Sequence, residues 1–356
     1  MNEFSLEYFL NLKSSWEYLK ETKLPIFIYG MGDGALKILE QFENFDIPCC
    51  GIFASDEFVR GHYFEGHKVH KLTEIEDAVE HFVIVLAFAA GYNSLIEMID
   101  DLAGRHPLIA PDVPVFGGGL FTKEYVRENF EKLEAVYNLL SDDFSKEAYS
   151  KIIEYKITGK IALLRDISTP QAEAFQSVLK LSNKEFYVDL GAYNGDTVLE
   201  FIEQTGGKYS NIIALEPDIK NFRKLSRTIK GHNNIEIFNV AGWGEDSTLT
   251  FDNKAGRHST VSKSGTETTA RSVDSILDGR EATFIKYDVE GAESHALLGT
   301  AKTMENFKPK LAVALYHRNE DIFALPLLVK ELNPDYKLII RKAPYYPAWE
   351  INLFAL

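Results

Sequence analysis

The chain has 356 residues and a formal net charge of -15, with 45% hydrophobic and 26% charged residues. This length and composition are typical of a soluble globular protein with room for two cores. The negative charge argues against a nucleic-acid backbone as the main partner, because such partners need clustered lysine and arginine. We therefore expect a small-molecule partner and no nucleic acid.

Cysteine content and the absence of leader features bear on the compartment. Two adjacent cysteines, Cys49 and Cys50, predict no disulfide framework, and we interpret both as core residues of a strand in a reducing compartment. The first twenty residues lack the basic head and apolar stretch of a signal peptide. The longest apolar run, residues 82–90, is too short to span a bilayer. We expect a cytoplasmic protein that makes no membrane contact.

Residues 24–118 predict a small Rossmann-like α/β domain, within an N-terminal domain that we place at 1–120. A buried strand leads through the glycine turn at 30–34 into an amphipathic helix. Strands are predicted at 26–29, 49–54 and 82–88, and helical segments at 73–79 and 94–102. This alternation of strands and helices indicates a parallel sheet covered on both faces.

Residues 121–182 change to a helical pattern. Apolar residues recur at helical spacing, as at Phe130, Leu133, Tyr137 and Leu140. No part of this stretch is rich enough in proline, glycine or serine to be a flexible linker. We therefore predict a packed helical connector.

Residues 183–356 predict a second α/β domain. Parallel strands are expected at 186–190, 211–215, 235–239, 283–288 and 311–315, with helices after the first, second, fourth and fifth. The segment 247–273 alternates polar and apolar residues, with Gly256 and Gly265 at the expected turns, which indicates a β-hairpin. Segments 336–341 and 350–356 predict a closing antiparallel hairpin. This order of elements is that of a class I methyltransferase sheet.

The stretch FYVDLGAYNGDT, residues 186–197, places a glycine loop directly after a strand. Asp189, Gly191 and Gly195 give D-x-G-x-x-x-G, whereas the dinucleotide fingerprint is G-x-G-x-x-G. A carboxylate about 4 Å from a phosphate would repel it by roughly 4 kcal/mol at an effective dielectric of about 20. S-adenosylmethionine carries an ammonium and a sulfonium, which Asp189 and Asp196 would attract. The loop therefore predicts S-adenosylmethionine as the cofactor.

Further cofactor contacts are expected at the next two strand ends. Glu216 follows Gly195 by 21 residues (216 − 195), close to the separation of about 20 residues typical of a ribose-binding carboxylate. Asn239 and Ala241 follow the third strand, where the adenine edge should lie. The predicted cofactor-binding set is Asp189, Gly191, Ala192, Asn194, Gly195, Thr197, Glu216, Asn239, Ala241 and Asp288. The alternative is that Asp196 only caps a helix and Glu216 is a solvated loop acid.

The segments VDLGAYNGDTVLEF, ALEPD, NVAGWGED, VDSIL and ATFIKYDVEGAESHALLG, in this order, resemble the FkbM family of S-adenosylmethionine-dependent methyltransferases. The resemblance covers residues 183–318, and KYDVEGAE is its most specific part. It implies methyl transfer to a hydroxyl, typically on a sugar or a polyketide-like metabolite. After the fifth strand many members have an acidic residue before the histidine, whereas this chain reads ALYHRNED.

The N-terminal domain is more weakly similar to the nucleotide-sugar-binding Rossmann domain in front of certain sugar acyltransferases. The similarity lies in IYGMGDGALKIL and in the two strand segments that follow it. Those domains usually have an acid directly after the second strand, where this chain has Ala54, Ser55 and Asp56. The resemblance implies nucleotide-sugar binding, and a scaffold or dimerisation role is the alternative.

Methyl transfer to a hydroxyl needs alignment of donor and acceptor and a base that takes the hydroxyl proton. His317 follows the fifth strand and is the first candidate, with an ordinary pKa near 6.5. Its alternative is a histidine hydrogen-bonded at a strand end. Lys286 lies in a strand that should be covered on both faces, so it needs a partner, and Asp288 projects from the same face.

The acids after that strand have two interpretations. Asp288, Glu290 and Glu293 either complement the dipole of the following helix, or they act at the site. In the second case Asp288 contacts the cofactor or acceptor, and Lys286 or Glu290 orients the acceptor hydroxyl. A hard cation held by these oxygens is the least favoured interpretation, because the cluster lacks the spacing of any established metal loop, and no metal site is predicted.

These observations together predict an S-adenosylmethionine-dependent O-methyltransferase that acts on a glycan, a nucleotide-linked sugar or a related metabolite. The predicted catalytic residues are His317, Lys286, Asp288 and Glu290. The alternative is a nucleotide-sugar-binding regulatory protein with a degenerate methyltransferase domain. An oxidoreductase that uses the first glycine loop is disfavoured by Asp33 inside that loop. A homodimer remains an open expectation.

Overall fold

The computed structural model describes residues 4–55, 59, 61, 63–251 and 266–356. The chain forms two compact units. Unit 1 comprises Met1–Tyr137, Lys146–Ser168 and Lys342–Glu350, and unit 2 comprises Asn138–Ser145, Thr169–Arg341 and Ile351–Leu356. The predicted connector is therefore shared between the units, most of it within unit 1.

Within the described residues, unit 1 is built on a six-stranded sheet of order β3-β4-β2-β1-β5-β6. Its strands are β1 (Ile26–Tyr29), β2 (Gly51–Ala54), β3 (Tyr63–Phe64), β4 (His67–Lys71), β5 (Val83–Leu86) and β6 (Leu108–Ile109). All neighbours are parallel except β3 and β4. The strand order reverses at β1, as in doubly wound α/β sheets.

The helices of this part of the chain begin with two short ones ahead of the sheet. The second of them begins with a capping box. The Ser14 hydroxyl accepts from the Glu17 N–H, and the Glu17 carboxylate accepts from the Ser14 N–H. The helices are α1 (Leu6–Asn11), α2 (Ser15–Glu21), α3 (Asp33–Phe45), α4 (Leu72–Ala78), α5 (Asn93–Arg105), α6 (Lys123–Leu139), α7 (Asp143–Thr158) and α8 (Ile161–Arg165). Buried side chains of α2, α3 and the central strands form one apolar core.

The cysteine interpretation is wrong. Strand β2 begins only at Gly51, so Cys49 and Cys50 lie in the segment that connects α3 to the strand. Cys50 is exposed and Cys49 is partly exposed. The pair looked like strand residues because it adjoins an apolar run, but the chain is still crossing the surface at this point.

Unit 2 is built on a seven-stranded sheet of order β15-β16-β14-β13-β7-β8-β9, counted over the described residues. Its strands are β7 (Phe186–Leu190), β8 (Asn211–Leu215), β9 (Ile235–Phe238), β13 (Phe284–Tyr287), β14 (Lys310–Ala314), β15 (Leu338–Lys342) and β16 (Ile351–Ala355). Strands β9, β8, β7, β13 and β14 run parallel, and β16 is antiparallel to β14. This arrangement confirms the predicted class I methyltransferase fold.

Helices cover the sheet of unit 2 after each of the four strands for which a helix was predicted. These are α10 (Asp196–Gln204), α11 (Ile219–Thr228), α13 (Glu293–Leu298) with α14 (Ala301–Phe307), and α15 (Asp321–Leu332). Two more helices precede strands: α9 (Gln171–Glu173), which continues into a π-helical turn (Ala174–Leu179) before β7, and α12 (Val273–Leu277) before β13. The core between them joins apolar side chains of the π-helical turn, α10 and α11 to those of the strands.

The predicted hairpin between β9 and β13 is present in part. Strands β11 (Ser247–Phe251) and β12 (Thr266–Arg271) pair antiparallel, and the short strand β10 (Ala241–Gly242) pairs parallel with β12. The turns expected at Gly256 and Gly265 lie outside the described residues. Across the part of the chain that the structure describes, no helix has the length and apolar character to cross a bilayer.

Candidate active site

The glycine loop between β7 and α10 folds back over the neighbouring strand. The backbone N–H groups of Gly191 and Ala192 both donate to the carbonyl oxygen of Leu215, at 3.0 and 2.9 Å. Asn194 accepts the Asp196 N–H on its side-chain oxygen at 3.1 Å, which closes the turn into α10. The loop therefore lies at the carboxyl ends of β7 and β8, where ligands bind in such sheets.

Gly191 is required by the packing of the loop. Its φ is +89°, and a Cβ at this position would lie 1.9 Å from the carbonyl oxygen of Asp288. Only glycine allows the loop after β7 to approach the end of β13 this closely. The two strand ends that carry Asp189 and Asp288 are thereby held side by side.

Asp189 is fully buried at the end of β7. It accepts a hydrogen bond from the Thr197 hydroxyl, and its Oδ1 lies 4.0 Å from Nζ of Lys286. That Oδ1 atom has no hydrogen-bond partner among the described residues. Burial raises the pKa of Asp189, while Lys286 and Thr197 act in the opposite direction.

The loop is less negative than the sequence indicated. Lys286 counters the charge of Asp189. Asp196 is exposed in the first turn of α10, where a carboxylate favours the helix dipole. Of the two acids of this loop, Asp189 is therefore the buried one, and Asp196 faces solvent.

Glu216 follows β8 and is 6% exposed. Its two carboxylate oxygens accept backbone N–H groups, one from Tyr193 at 2.9 Å and one from Asp218 at 2.8 Å. Burial raises its pKa to about 7, although both N–H groups favour the charged form. The alternative of a solvated loop acid is therefore wrong, because Glu216 ties its own loop to the glycine loop.

Asn239 and Ala241 have structural contacts in addition to their predicted role. The side-chain amide of Asn239 donates to the carbonyl oxygens of Glu216 and Pro217, both at 2.9 Å. Ala241 is buried in β10 opposite Ala270. Asn239 thus braces the loop that carries Glu216, and the adenine contact of both residues stays a prediction.

Lys286 and Asp288 form the ion pair that the sequence predicts. Nζ of Lys286 lies 2.9 Å from Oδ2 of Asp288, and the Tyr316 hydroxyl donates to Oδ1 at 3.3 Å. Burial disfavours the charge on Asp288, but Lys286 and His317 outweigh it and lower the pKa of this carboxyl. Asp288 is therefore ionised at neutral pH.

His317 is buried at the end of β14 among carboxylates. Its Nδ1 lies 2.9 Å from Oε1 of Glu293, and its Nε2 lies 3.5 Å from both Asp288 Oδ1 and Glu290 Oε2. Burial opposes a charge on the ring, but Glu293, Asp288 and Glu290 outweigh it and raise the pKa of His317 to about 10. The expectation of an ordinary pKa near 6.5 is wrong, because the ring is paired with acids on both nitrogens.

The sequence placed Glu293 among the acids after β13 but did not reveal its contact with His317, and it did not single out Tyr316. Glu293 is 1% exposed and also accepts the Val289 N–H at 2.9 Å. Its contact with His317 joins residues 24 positions apart, so no local sequence pattern indicates it. The predicted catalytic residues Lys286, Asp288, Glu290 and His317 do lie together, and Asp189 adjoins them through Lys286.

The fold and this site define an α/β methyltransferase-type domain with two neighbouring subsites. One is the glycine loop with Glu216, and the other is the cluster around His317. Residues 189–343 match the family model of the methyltransferase FkbM domain. The resemblance inferred from the sequence is thereby confirmed over these residues.

A solved structure of similar fold is the methyltransferase FkbM from Methylobacillus flagellatus KT. It shares 19% sequence identity with this chain at a TM-score of 0.70, and the match covers 94% of this chain and 90% of that one. At this identity the similarity supports the fold. It extends through both units, well beyond the 189–343 match.

Other methyltransferase structures are more remote. Fibrillarin from Aeropyrum pernix, in complex with natively bound S-adenosyl-L-methionine, is 10% identical over 52% of this chain and 73% of that one, with a TM-score of 0.35. Precorrin-6y C5,15-methyltransferase from Geobacter metallireducens GS-15 is 9% identical over 54% and 94%, also with a TM-score of 0.35. No curated protein sequence matches the chain significantly.

Proposed function

We propose that the chain is an S-adenosylmethionine-dependent methyltransferase that methylates a hydroxyl on a glycan, a nucleotide-linked sugar or a related metabolite. The observation that carries the cofactor assignment is the burial of Glu216 and its hydrogen bonding to the backbone. Its carboxylate is buried and held by two backbone N–H groups beside the glycine loop. Each oxygen has a second lone pair, so the fixed carboxylate can accept two ribose hydroxyls.

The residues of the site also fit the amino-acid end of the cofactor. Asp189 has a buried oxygen without a hydrogen-bond partner among the described residues, which suits an ammonium group. The predicted cofactor set of Asp189, Gly191, Ala192, Asn194, Gly195, Thr197, Glu216, Asn239, Ala241 and Asp288 supplies these contacts. When bound, S-adenosylmethionine supplies an electrophilic methyl group.

The acceptor hydroxyl has to lose its proton, and the electrostatics of the cluster constrain where that proton goes. His317 already holds a proton at neutral pH, since its pKa is about 10. We therefore assign the proton acceptor to the Asp288 and Glu290 carboxylates beside Nε2, and give His317 the role of holding them in place. Lys286 fixes Asp288 from the other side at 2.9 Å.

Isothermal titration of the full chain with S-adenosylmethionine tests the cofactor assignment. Asp189→Asn and Glu216→Gln should each weaken binding at least tenfold, because a hydrogen bond to a charged group contributes about 1.5–3 kcal/mol. Glu203→Gln removes an exposed carboxylate of α10 and is the matched control with unchanged affinity. Equal affinity in all four proteins would contradict the proposed site.

Methyl transfer to a sugar acceptor is the second arm of this test. The proposed activity predicts a mass increase of one methyl group on glycans from cells that contain the chain, and none when Asp189→Asn replaces it. If a uridine-diphosphate sugar binds and no acceptor is ever methylated, the regulatory alternative replaces the proposed activity.

A further inference from the structure

The cluster around His317 combines one imidazole with several carboxylates. One ligand atom each from Asp288, Glu293 and His317 lies within 4.8 Å of the others. These side chains come from the end of β13, the start of α13 and the end of β14. Spacing along the sequence predicted no metal loop. It could not show that side chains from three separate elements come together in the fold.

Glu293 orients the histidine ring. Its Oε1 lies 2.9 Å from Nδ1 of His317, and both side chains are almost fully buried. A carboxylate on one ring nitrogen is the arrangement that fixes the tautomer and rotation of a metal-binding histidine. Nε2 is then the nitrogen that would meet a cation.

The atoms around Nε2 have the spacing of metal ligands. Asp288 Oδ1 and Glu290 Oε2 each lie 3.5 Å from Nε2. This is longer than an ordinary hydrogen bond of about 2.7–3.2 Å. Two ligand atoms that are each about 2.0–2.2 Å from one ion, at tetrahedral or octahedral angles, lie roughly 3.0–3.5 Å apart. Lys286 bonds the other oxygen of Asp288, and Oδ1, which also accepts the Tyr316 hydroxyl at 3.3 Å, is the oxygen near the ring.

An independent observation is that one buried carboxylate oxygen of the cluster lacks a hydrogen-bond donor. Oε2 of Glu293 is buried and has no hydrogen-bond partner among the described residues. A buried carboxylate oxygen without a donor is costly unless a positive charge lies close by. Either the protonated ring of His317 or a divalent ion bound at Nε2 in place of its proton would supply that charge.

We propose that His317 Nε2, Asp288 Oδ1 and the Glu290 carboxylate bind one divalent first-row metal ion, with Glu293 as the positioning residue behind the ring. A mixed imidazole and carboxylate set suits Mn²⁺, Fe²⁺ and Zn²⁺. The use of this ion rests on the proposed function: it would polarise the acceptor hydroxyl and lower its pKa beside the methyl donor. The ion and the Nε2 proton exclude one another, so metal binding releases that proton and replaces the direct contacts of the ring with Asp288 and Glu290. Metal binding itself does not depend on the proposed function.

Manganese titration of the full chain tests the site. After treatment with EDTA and its removal, one Mn²⁺ should bind per chain, measured by calorimetry and by loss of the free Mn²⁺ signal in electron paramagnetic resonance. His317→Gln and Asp288→Asn should each weaken Mn²⁺ affinity at least tenfold, and Glu293→Gln about tenfold through loss of ring orientation. Glu305→Gln, an exposed acid of α14, should leave it unchanged.

The outcomes separate this inference from the proposed function. Circular dichroism checks that each variant folds, and S-adenosylmethionine binding is measured in the same samples. If the methyl donor binds but no stoichiometric Mn²⁺ does, the metal site is overturned and the cofactor assignment stands. If Mn²⁺ binds with equal affinity in His317→Gln and Asp288→Asn, the ion lies elsewhere and the site is also overturned. If Mn²⁺ binds as expected and the donor does not, only the proposed function falls.

Discussion

At the scale of single residues, two buried carboxylates form the proposed cofactor subsite. Asp189 and Glu216 are both less than a tenth exposed, and burial raises the pKa of each. Backbone N–H groups hold Glu216 in one orientation before any ligand arrives, which reduces the ordering that binding must impose. We therefore treat these two side chains as the preorganised part of the site.

The pH dependence of cofactor affinity should report Glu216. Ribose hydroxyls bind the ionised carboxylate better, and the pKa of Glu216 is about 7. The affinity for S-adenosylmethionine should therefore rise with pH, by up to about tenfold per unit below pH 7, and level off above it. Calorimetry between pH 5.5 and 8 measures this. Glu216→Gln should remove this part of the pH dependence, and an equally steep dependence in that variant would contradict the assignment.

Single residues show which site features a sequence can reveal. The Lys286 and Asp288 pair followed from strand periodicity, because residues two apart share a face. The pKa of His317 did not follow, since it depends on Glu293, which is 24 positions away. The exposure of Asp196 was also missed, because the sequence does not show which way the first turn of α10 faces.

The strand ends and their loops are the elements that assemble the site. Strands β7, β8, β13 and β14 end at one edge of the sheet, and their order brings Asp189, Glu216, Asp288 and His317 to that edge. The boundaries of β7 and β8 agree with the predicted ones, because both strands are mostly apolar and are followed directly by a glycine or an acid. The hairpin of Tyr63–Phe64 and His67–Lys71 was missed, since Val69 is its one buried residue.

A matched pair of glycine substitutions tests the contact between the loop and β13. Gly191→Ala would place a Cβ 1.9 Å from the Asp288 carbonyl at φ +89°, whereas Gly279→Ala has φ +81° and no atom within 4 Å. Both changes incur backbone strain of about 1–2 kcal/mol, and only the first adds an overpacking cost of about 1–3 kcal/mol. Urea denaturation should show the larger loss for Gly191→Ala. Equal losses would mean that the loop and β13 are not in close contact.

Gly191→Ala should also weaken binding of S-adenosylmethionine, because the clash moves the loop away from Asp288. Gly279→Ala should keep the affinity of the original chain. A Cβ at this position has no atom within 4 Å, and residue 279 is far from the glycine loop in sequence. Calorimetry on the same two variants measures this second effect.

At the scale of the whole molecule, each unit has its own sheet. A buried lysine of unit 1, Lys342, makes the stability of the chain depend on pH. Lys342 is fully buried, and its ammonium donates to the carbonyl oxygens of Ala343 and Tyr345 at 2.8 and 2.6 Å. Burial lowers its pKa to about 7, from 10.5 in an exposed lysine. Between these two values the unfolded chain binds one more proton than the folded chain.

Stability should therefore rise with pH across this window, by up to about 1.4 kcal/mol per unit from this group. Below pH 7 both states hold the proton, so the cost of burial is constant and largest. Lys342→Met removes the group, and its advantage in Tm over the original chain should shrink between pH 7 and pH 9. Lys302→Met, at an exposed position of α14, is the control with a constant difference. Parallel Tm curves for Lys342→Met and the original chain would contradict the lowered pKa.

At the scale of the whole chain, the sequence predicted the two sheets better than it predicted the division of the chain into units. Alternating strands and helices gave both α/β sheets and the closing hairpin, because hydrophobic periodicity records which faces are buried. The division did not follow the predicted domains, since Lys342–Glu350 returns to unit 1 after most of unit 2 is complete. Contacts between residues so distant in sequence leave no periodic signal.

The central claim is that the glycine loop and Glu216 hold S-adenosylmethionine. A crystal structure of the full chain with S-adenosylhomocysteine, the product of methyl transfer, tests it most directly. The account predicts ribose hydroxyls about 2.5–3.0 Å from the Glu216 carboxylate, with the amino group beside Asp189. Product bound away from this loop, or absent from crystals soaked at saturating concentration, would contradict it.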